Sequence, residues 1–498
     1  MDRRRFLLAG STAASLGALG LTRLARADTS STPAAAGPRP RPRPTPQQLR
    51  WQREELAMFV HLTVNTFTGQ EWGDGTESPS VFNPRKLDAR QWARAAKQAG
   101  FRSMILTAKH HDGFCLWPSA FTEHSVRNSP WKNGHGDVVR EFTDACRAEG
   151  LGAGLYLSPW DRNNKSYGKG EAYNDYYIAQ LTELLTHYGK IVEVWFDGAN
   201  GEGPDGRKQT YDWQRIHATV RKLQPDAVIF SDAGPDVRWV GDEKGVASST
   251  CWSAVDPAST PYPGYDRPWV GDVLGRGDPH GSVWRPAESD VSIRPGWFWH
   301  PEQNGQVRTP DELLELYFSS VGRNSKLLLN VPPNRDGQFD PEDVASLKGF
   351  AAKRTALFAT NLLQGARVRA SSSNAPHLPA RALDADPDTY WSAAPTARDG
   401  WLEFELPREV EFDTLELGEA IAQGQNIANY RVEHWDEGAW RPLGWGTTIG
   451  HKKLARFDPV RTSKLRLTLE FGYGTPKLAY VAAYRGPDRR YGPGHNEK

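Results

Sequence analysis

The stretch Ile191-Val192-Glu193-Val194-Trp195-Phe196-Asp197-Gly198-Ala199 decides how the chain is read. Its apolar and aromatic residues predict a buried β-strand. The strand ends on a carboxylate, and the glycine that follows lets the chain turn away. In many folds such a carboxylate caps a helix or pairs with a loop cation. In a barrel of alternating strands and helices it has another use, because the C-terminal strand ends converge on one site.

The flanking sequence alternates in that way from Leu56 to about Phe358. Leu56–Phe67 predicts a strand running into a loop. Asp88 caps a helix through Gln98, with Trp92, Ala95, Ala96 and Ala99 at helical spacing. Strands are expected at Ser103–Lys109, Gly154–Leu157, Val192–Phe196 and Val228–Ser231. Helices are expected at Asp137–Glu149, Ala172–Tyr188 and Trp213–Leu223. The period is then lost from Ala233 to Pro310, a Gly-, Pro- and Trp-dense stretch that predicts functional loops. Only short strand-like pieces stand out there, at Arg238–Val240 and Asp290–Ile293. Alternation returns with a helix at Glu312–Val321, a strand at Leu327–Val331 and a helix at Glu342–Phe358. Repeated strand–helix units predict a parallel sheet, with a (β/α)8-like barrel first and an open doubly wound sheet second. No Gly-rich phosphate loop supports the second. After Phe358, short alternating segments such as Trp401–Leu406, Tyr430–His434 and Leu465–Leu469 predict an antiparallel β-sandwich of jelly-roll type.

Polar residues gather after each predicted strand of the first domain. His61, Asn65, Glu71 and Trp72 follow the first; His110, His111 and Asp112 the second. Ser158, Trp160 and Asp161 follow the third, Asp197 the fourth, and Asp232, Arg238 and Glu243 the fifth. Five strands in a row favour a shared site over chance caps. Adjacent residues such as His110 and His111 on a strand would face opposite ways, and no metalloprotease or facial-triad spacing is present, so an active-site metal is not expected. No nucleophile-elbow motif is present either. Carboxylates, His donors and Trp platforms remain, the equipment for hydrolysing a glycosidic bond with two carboxyl groups.

The residues resemble a known family. Met58-Phe59-Val60-His61, Lys109-His110-His111-Asp112-Gly113-Phe114, Tyr156-Leu157-Ser158-Pro159-Trp160-Asp161 and Val194-Trp195-Phe196-Asp197-Gly198 look like the α-L-fucosidases of glycoside hydrolase family 29. Arg238-Trp239-Val240-Gly241-Asp242-Glu243 and Asp290-Val291-Ser292-Ile293-Arg294-Pro295-Gly296-Trp297 fit as well. The resemblance implies a retaining double displacement without a cofactor, acting on fucosylated oligosaccharides. Asp197 corresponds to the nucleophile. His61, Glu71, Trp72, His110, His111, Trp160 and Asp161 fall where the family holds fucose, with Arg238 and Trp297 as further contacts. Glu243 resembles the acid/base of the subgroup acting on branched α-1,3/1,4-fucosides of Lewis type, and Glu288 is its rival. A broad-specificity fucosidase and a non-catalytic glycan-binding protein are the alternatives. The C-terminal sandwich resembles discoidin-like, galactose-binding-like domains. There Ala382-Leu383-Asp384 with Asp388-Thr389-Tyr390-Trp391 implies a structural calcium ion.

The totals agree with an exported, multidomain protein. At 498 residues the chain exceeds one ordinary core. Arg3-Arg4-Arg5-Phe6-Leu7, an Ala/Gly/Leu run and Ala25-Arg26-Ala27 read as a twin-arginine signal peptide over residues 1–27. Periplasmic or secreted placement follows. Residues 28–49 read as a Pro/Arg-rich linker, 50–358 as the catalytic domain and 359–498 as the sandwich. The signal carries five Arg and one Asp, which leaves 56 basic and 59 acidic residues beyond it. Near-neutral charge gives no basis for nucleic-acid binding. The 19 Trp suit large cores or sugar stacking. Three cysteines, Cys115, Cys146 and Cys251, predict buried thiols rather than a disulfide framework.

Overall fold

The computed structural model describes residues 41–384 and 386–486. The expected signal peptide and most of the linker lie outside the described residues. The first domain is a nearly closed barrel of eight parallel strands: β1 Leu56–Val60, β2 Ser103–Lys109, β3 Gly152–Leu157, β4 Glu193–Trp195, β5 Val228–Phe230, β6 Arg238–Trp239, β7 Ala287–Ser292 and β8 Ser325–Asn330. The ladders run β5-β4-β3-β2-β1-β8-β7-β6, all parallel. A single bridge between Phe230 and Val237 joins β5 to the chain entering β6 and nearly completes the ring.

The outer helices form where the sequence caps them. Asp88 accepts the Gln91 amide and starts Ala89–Gln98, whose Trp92, Ala93 and Ala96 are buried. Asp137 starts Val138–Glu149 in the same way, and Gly150 ends it in the left-handed region at φ 73°. Thr309 and Glu312 form a reciprocal capping box on Pro310–Ser319.

Two boundaries differ from the sequence reading. The catalytic domain starts inside the expected 28–49 linker, because Pro46–Glu54 is a helix with Gln48, Trp51 and Gln52 buried. Trp51 packs into the interior cluster with Phe59, Ile105, Tyr156, Trp195 and Leu328, where its indole donates to Glu193 at 2.9 Å. The aperiodic stretch 233–310 is not only loop. It supplies two barrel strands, β6 and β7, a helix at Val270–Arg276, and an antiparallel ribbon of Ala254–Val255 with Val283–Trp284. Strand β6 has two residues, too few to show a period. Strand β7 reads Ala-Glu-Ser-Asp-Val-Ser, polar although wholly buried: Glu288 accepts from the Trp195 indole, Asp290 from the Trp239 indole, and Ser289 pairs with Ser325.

The second domain has seven antiparallel strands around its own core of Trp391, Leu402, Phe404, Leu415, Leu465 and Leu467. The expected Trp401–Leu406 piece runs on as one strand, Gly400–Glu419, whose register shifts between Glu405 and Val410 and between Phe412 and Thr414. The two domains meet at a half-buried cluster. Glu55 lies 2.9 Å from Lys452 and 3.1 Å from His451, and accepts the Tyr317 hydroxyl at 2.6 Å. Burial alone would raise the Glu55 pKa, but Lys452 and the His451 and Tyr317 donors hold it below the usual carboxylate range.

Candidate active site

The C-terminal ends of the strands enclose a cavity of about 440 Å³. Strand β1 delivers His61, β2 delivers His110 and His111, and β4 delivers Asp197. The segment after β6 contributes Glu243, and the one after β7 contributes Trp297 and His300. Phe59, Tyr156 and Trp195, inward-facing members of β1, β3 and β4, also line the cavity.

Asp197 is 2% exposed. One oxygen accepts the Tyr156 hydroxyl at 3.2 Å and stands 3.9 Å from His111 Nε2; the other accepts the Ala199 amide at 2.8 Å. Ser158 fixes the His111 tautomer. Its hydroxyl proton goes to the Trp160 carbonyl at 2.6 Å, so its oxygen accepts from His111 Nδ1 at 2.7 Å. The proton of a neutral His111 therefore sits on Nδ1, and Nε2 donates toward Asp197 only when the ring is charged. Asn330 fixes His61 likewise. Its amide NH₂ donates to Ser292 and to the Trp297 carbonyl, and its oxygen accepts His61 Nδ1–H at 2.8 Å.

Glu71 acts as a bracket. It accepts the Trp297 amide at 2.8 Å and meets His300 Nε2 at 2.6 Å, tying the loop after β1 to the loop after β7. The Trp297 indole in turn donates to Glu243 at 3.2 Å. Trp72 stands edge-on to His111 and Trp160, with centroids 6.2 and 6.0 Å away. Trp160 packs behind, 4.8 Å from the His111 ring. Beneath the first loop, burial pushes the Asp112 pKa up to about 7, against hydrogen bonds from the Phe114 amide and Thr63.

The structure thus brings His61, Glu71, Trp72, His110, His111, Asp197, Glu243 and Trp297 to one cavity, with Trp160 supporting them. It places three sequence choices elsewhere. Asp161 is buried against Lys109 at 2.9 Å and caps the turn at Asn163 and Asn164. Arg238 is buried in β6, where its guanidinium donates to the carbonyls of Leu274, Arg285 and Trp252. Glu288 lies in the barrel interior, under the Trp195 indole that donates to it at 3.0 Å. A fourth correction concerns His110 and His111. Both line the cavity, with ring centroids 4.1 Å apart, because they follow β2 in a turn where strand alternation no longer applies. His300 and Tyr156 escaped the sequence reading. Tyr156 looked like an apolar strand residue, although its hydroxyl needs a partner when buried.

Elsewhere lies the loop expected to hold calcium. Asp384 accepts the Thr389 hydroxyl at 2.5 Å, and Asp388 pairs with Arg53 at 2.6 Å. Among the described residues no group of three or more His, Cys, Asp or Glu converges as metal ligands. No helix of the described residues is long and apolar enough to cross a membrane. The three thiols are free and buried.

The α-L-fucosidase family profile matches residues 47–352, and that of the F5/8 type C domain matches residues 367–477. The chain is similar to Alpha-L-fucosidase 1 of Arabidopsis thaliana, 44% identical over 88% of this chain and 86% of that one. Among solved structures it is similar to SpGH29, with a TM-score of 0.85 and 40% identity over 90% of this chain and 99% of that chain. It is also similar to a Ruminococcus gnavus GH29 fucosidase in complex with fucose, with a TM-score of 0.81 and 34% identity over 91% and 97% of the two chains.

Proposed function

The chain belongs to the α-L-fucosidases of glycoside hydrolase family 29, with a C-terminal F5/8 type C domain, and from that premise we propose that it releases α-1,3- or α-1,4-linked L-fucose from branched, Lewis-type glycans by double displacement. The carboxylate of Asp197 attacks the anomeric carbon while Glu243 gives its proton to the departing oxygen. This leaves a fucosyl ester on Asp197 and a free alcohol. Glu243, now ionised, takes a proton from water as the water attacks the same carbon. Asp197 leaves, and fucose departs with its original configuration. His61, His110 and His111 hold the ring hydroxyls, and Trp72 offers a flat apolar face. Export by the twin-arginine route is part of this proposal.

One observation carries the reading: Asp197 and Glu243 line the same cavity with four histidines, and Glu288 does not. Fucose release from a Lewis-type trisaccharide, run beside 2′-fucosyllactose and an aryl fucoside, tests it. Release from the branched sugar alone is expected. Comparable release from all three points to a broad-specificity enzyme. No release from any, with the protein folded, removes catalysis.

A further inference from the structure

We propose that the segment Tyr262–Trp269 is a shelf for the leaving group, on which Tyr265 and Trp269 stack the sugar that fucose is cleaved from. The proposal rests on the fucosidase reading and on a placement that reading does not use.

The segment belongs to the β6–β7 connection, and backbone packing fixes both of its ends. At one end the Gly264 amide donates to both oxygens of Asp232, at 3.2 and 2.9 Å. Gly264 has φ +79°, and a β-carbon there would stand 2.7 Å from the carbonyl oxygen of Gly198, the residue after Asp197. At the other end the helix Val270–Arg276 begins. A β-carbon on Gly241 would stand 3.0 Å from the Gly271 carbonyl oxygen, and Gly241 lies two residues before Glu243. Residues 264–271 therefore run from the loop of one proposed catalytic carboxylate to the loop of the other. The segment thus spans the two loops between which a sugar leaving on an oxygen protonated by Glu243 would sit.

What the segment presents there is aromatic. Tyr262 is 51% exposed and Trp269 45%. Tyr265 links them, with centroids 5.3 Å from Tyr262 and 6.0 Å from Trp269, and the Arg267 guanidinium lies 5.2 Å from the Tyr265 ring. A surface loop with only a structural duty gains nothing by keeping such rings in water. Pro261, Pro263 and Pro268 stiffen the segment, so little conformational freedom is lost on binding. The apolar C–H face of a pyranose suits the negative face of an aromatic ring, and a guanidinium beside it offers donors to sugar hydroxyls. The ligand class is thus a pyranose of the leaving oligosaccharide, not the fucose.

The test compares two substrates on wild type, Tyr265→Ala, Trp269→Ala and Trp269→Phe. One is α-L-fucosyl fluoride, whose leaving group is a single atom. The other is a trisaccharide with fucose on the N-acetylglucosamine of a galactosyl disaccharide. The expected result is a drop of about ten-fold in the ratio of kcat/KM values, trisaccharide over fluoride, for each alanine variant, carried by KM. Trp269→Phe should restore most of it. An unchanged ratio, with both substrates losing equally or neither losing, overturns the shelf. So does a wild type that releases fluoride but leaves the trisaccharide intact, although the fucosidase reading survives that result. A folded wild type that turns over neither substrate removes the fucosidase reading itself.

Discussion

Strand β4 carries two carboxyl groups four residues apart, and they live in different worlds. Asp197, at the strand end, opens into the cavity. Glu193, inside the barrel, is fully buried between the Trp51 indole and Lys326, whose ammonium is 3.8 Å away. The same split recurs across the barrel. Glu243 lines the cavity, and Glu288 in β7 is fully buried under Trp195. Burial, with the neighbouring Glu193 charge, raises the Glu288 pKa well above the usual range and so favours its neutral form. One barrel therefore holds a carboxyl pair that meets a ligand and a pair that supports the cavity floor. Position along the strand, not residue type, separates them.

The sharpest way to break this comparison is the same isosteric change, carboxylate to amide, at one member of each pair. Asp197→Asn keeps the shape and removes the nucleophile. Turnover should fall by about four orders of magnitude or more with the fold intact, read as fluoride release from α-L-fucosyl fluoride beside a thermal melt. Turnover within ten-fold of wild type would take Asp197 out of the mechanism. Glu243→Ala comes next. It should lower kcat/KM on an oligosaccharide by about 10²–10⁴. The loss should be smaller on fucosyl fluoride, because fluoride leaves without a proton. Equal losses on the two substrates would deny Glu243 the acid role.

The part of this division that was legible in the sequence follows physical lines. Strands β1 to β5 announce themselves as apolar runs, and the polar residues after them are easy to collect. That collection cannot tell a cavity residue from one whose partner arrives from a distant segment. Asp161 meets Lys109 from the neighbouring strand, and Arg238 meets carbonyls at 252, 274 and 285. Strands β6 and β7 showed only as the short pieces Arg238–Val240 and Asp290–Ile293, because one is short and the other polar. Glu288 looked like a rival acid for the same reason: a Glu in an unpatterned stretch reads as loop, and only the barrel shows it to be core. His300 sits in that stretch too, and its bond to Glu71 spans 229 positions.

The interior pair should answer to truncation through stability. Glu288→Ala strips the Trp195 indole of its acceptor and leaves a void under the cavity floor. A cost of roughly 2–4 kcal/mol is expected, seen as a lower denaturation midpoint. Because Trp195 lines the cavity, KM should rise with it. A midpoint like that of wild type would mean the interior carboxyl does not support the floor.

Glu288→Gln should have the smallest effect, and it separates the pairs most cleanly. Burial raises the Glu193 pKa to about 7, with Lys326 opposing it. Burial, then the neighbouring Glu193, raises that of Glu288 well above the usual range. The native state thus holds a proton that the unfolded chain sheds near the ordinary value of 4.5. This contribution to stability is full below that pH and declines as pH rises toward 7 and beyond. A glutamine removes the titrating group and still accepts from Trp195. The variant should therefore lose that decline: its melting temperature should fall less than that of wild type between pH 5 and pH 7. Turnover should stay within a few-fold of wild type, where the equivalent amide at Asp197 abolishes it. A pH dependence of melting equal to that of wild type would show that Glu288 holds no proton the unfolded chain sheds. The interior pair would then have to be held by Lys326 alone, and the contrast between floor and mouth would rest on geometry without a difference in protonation.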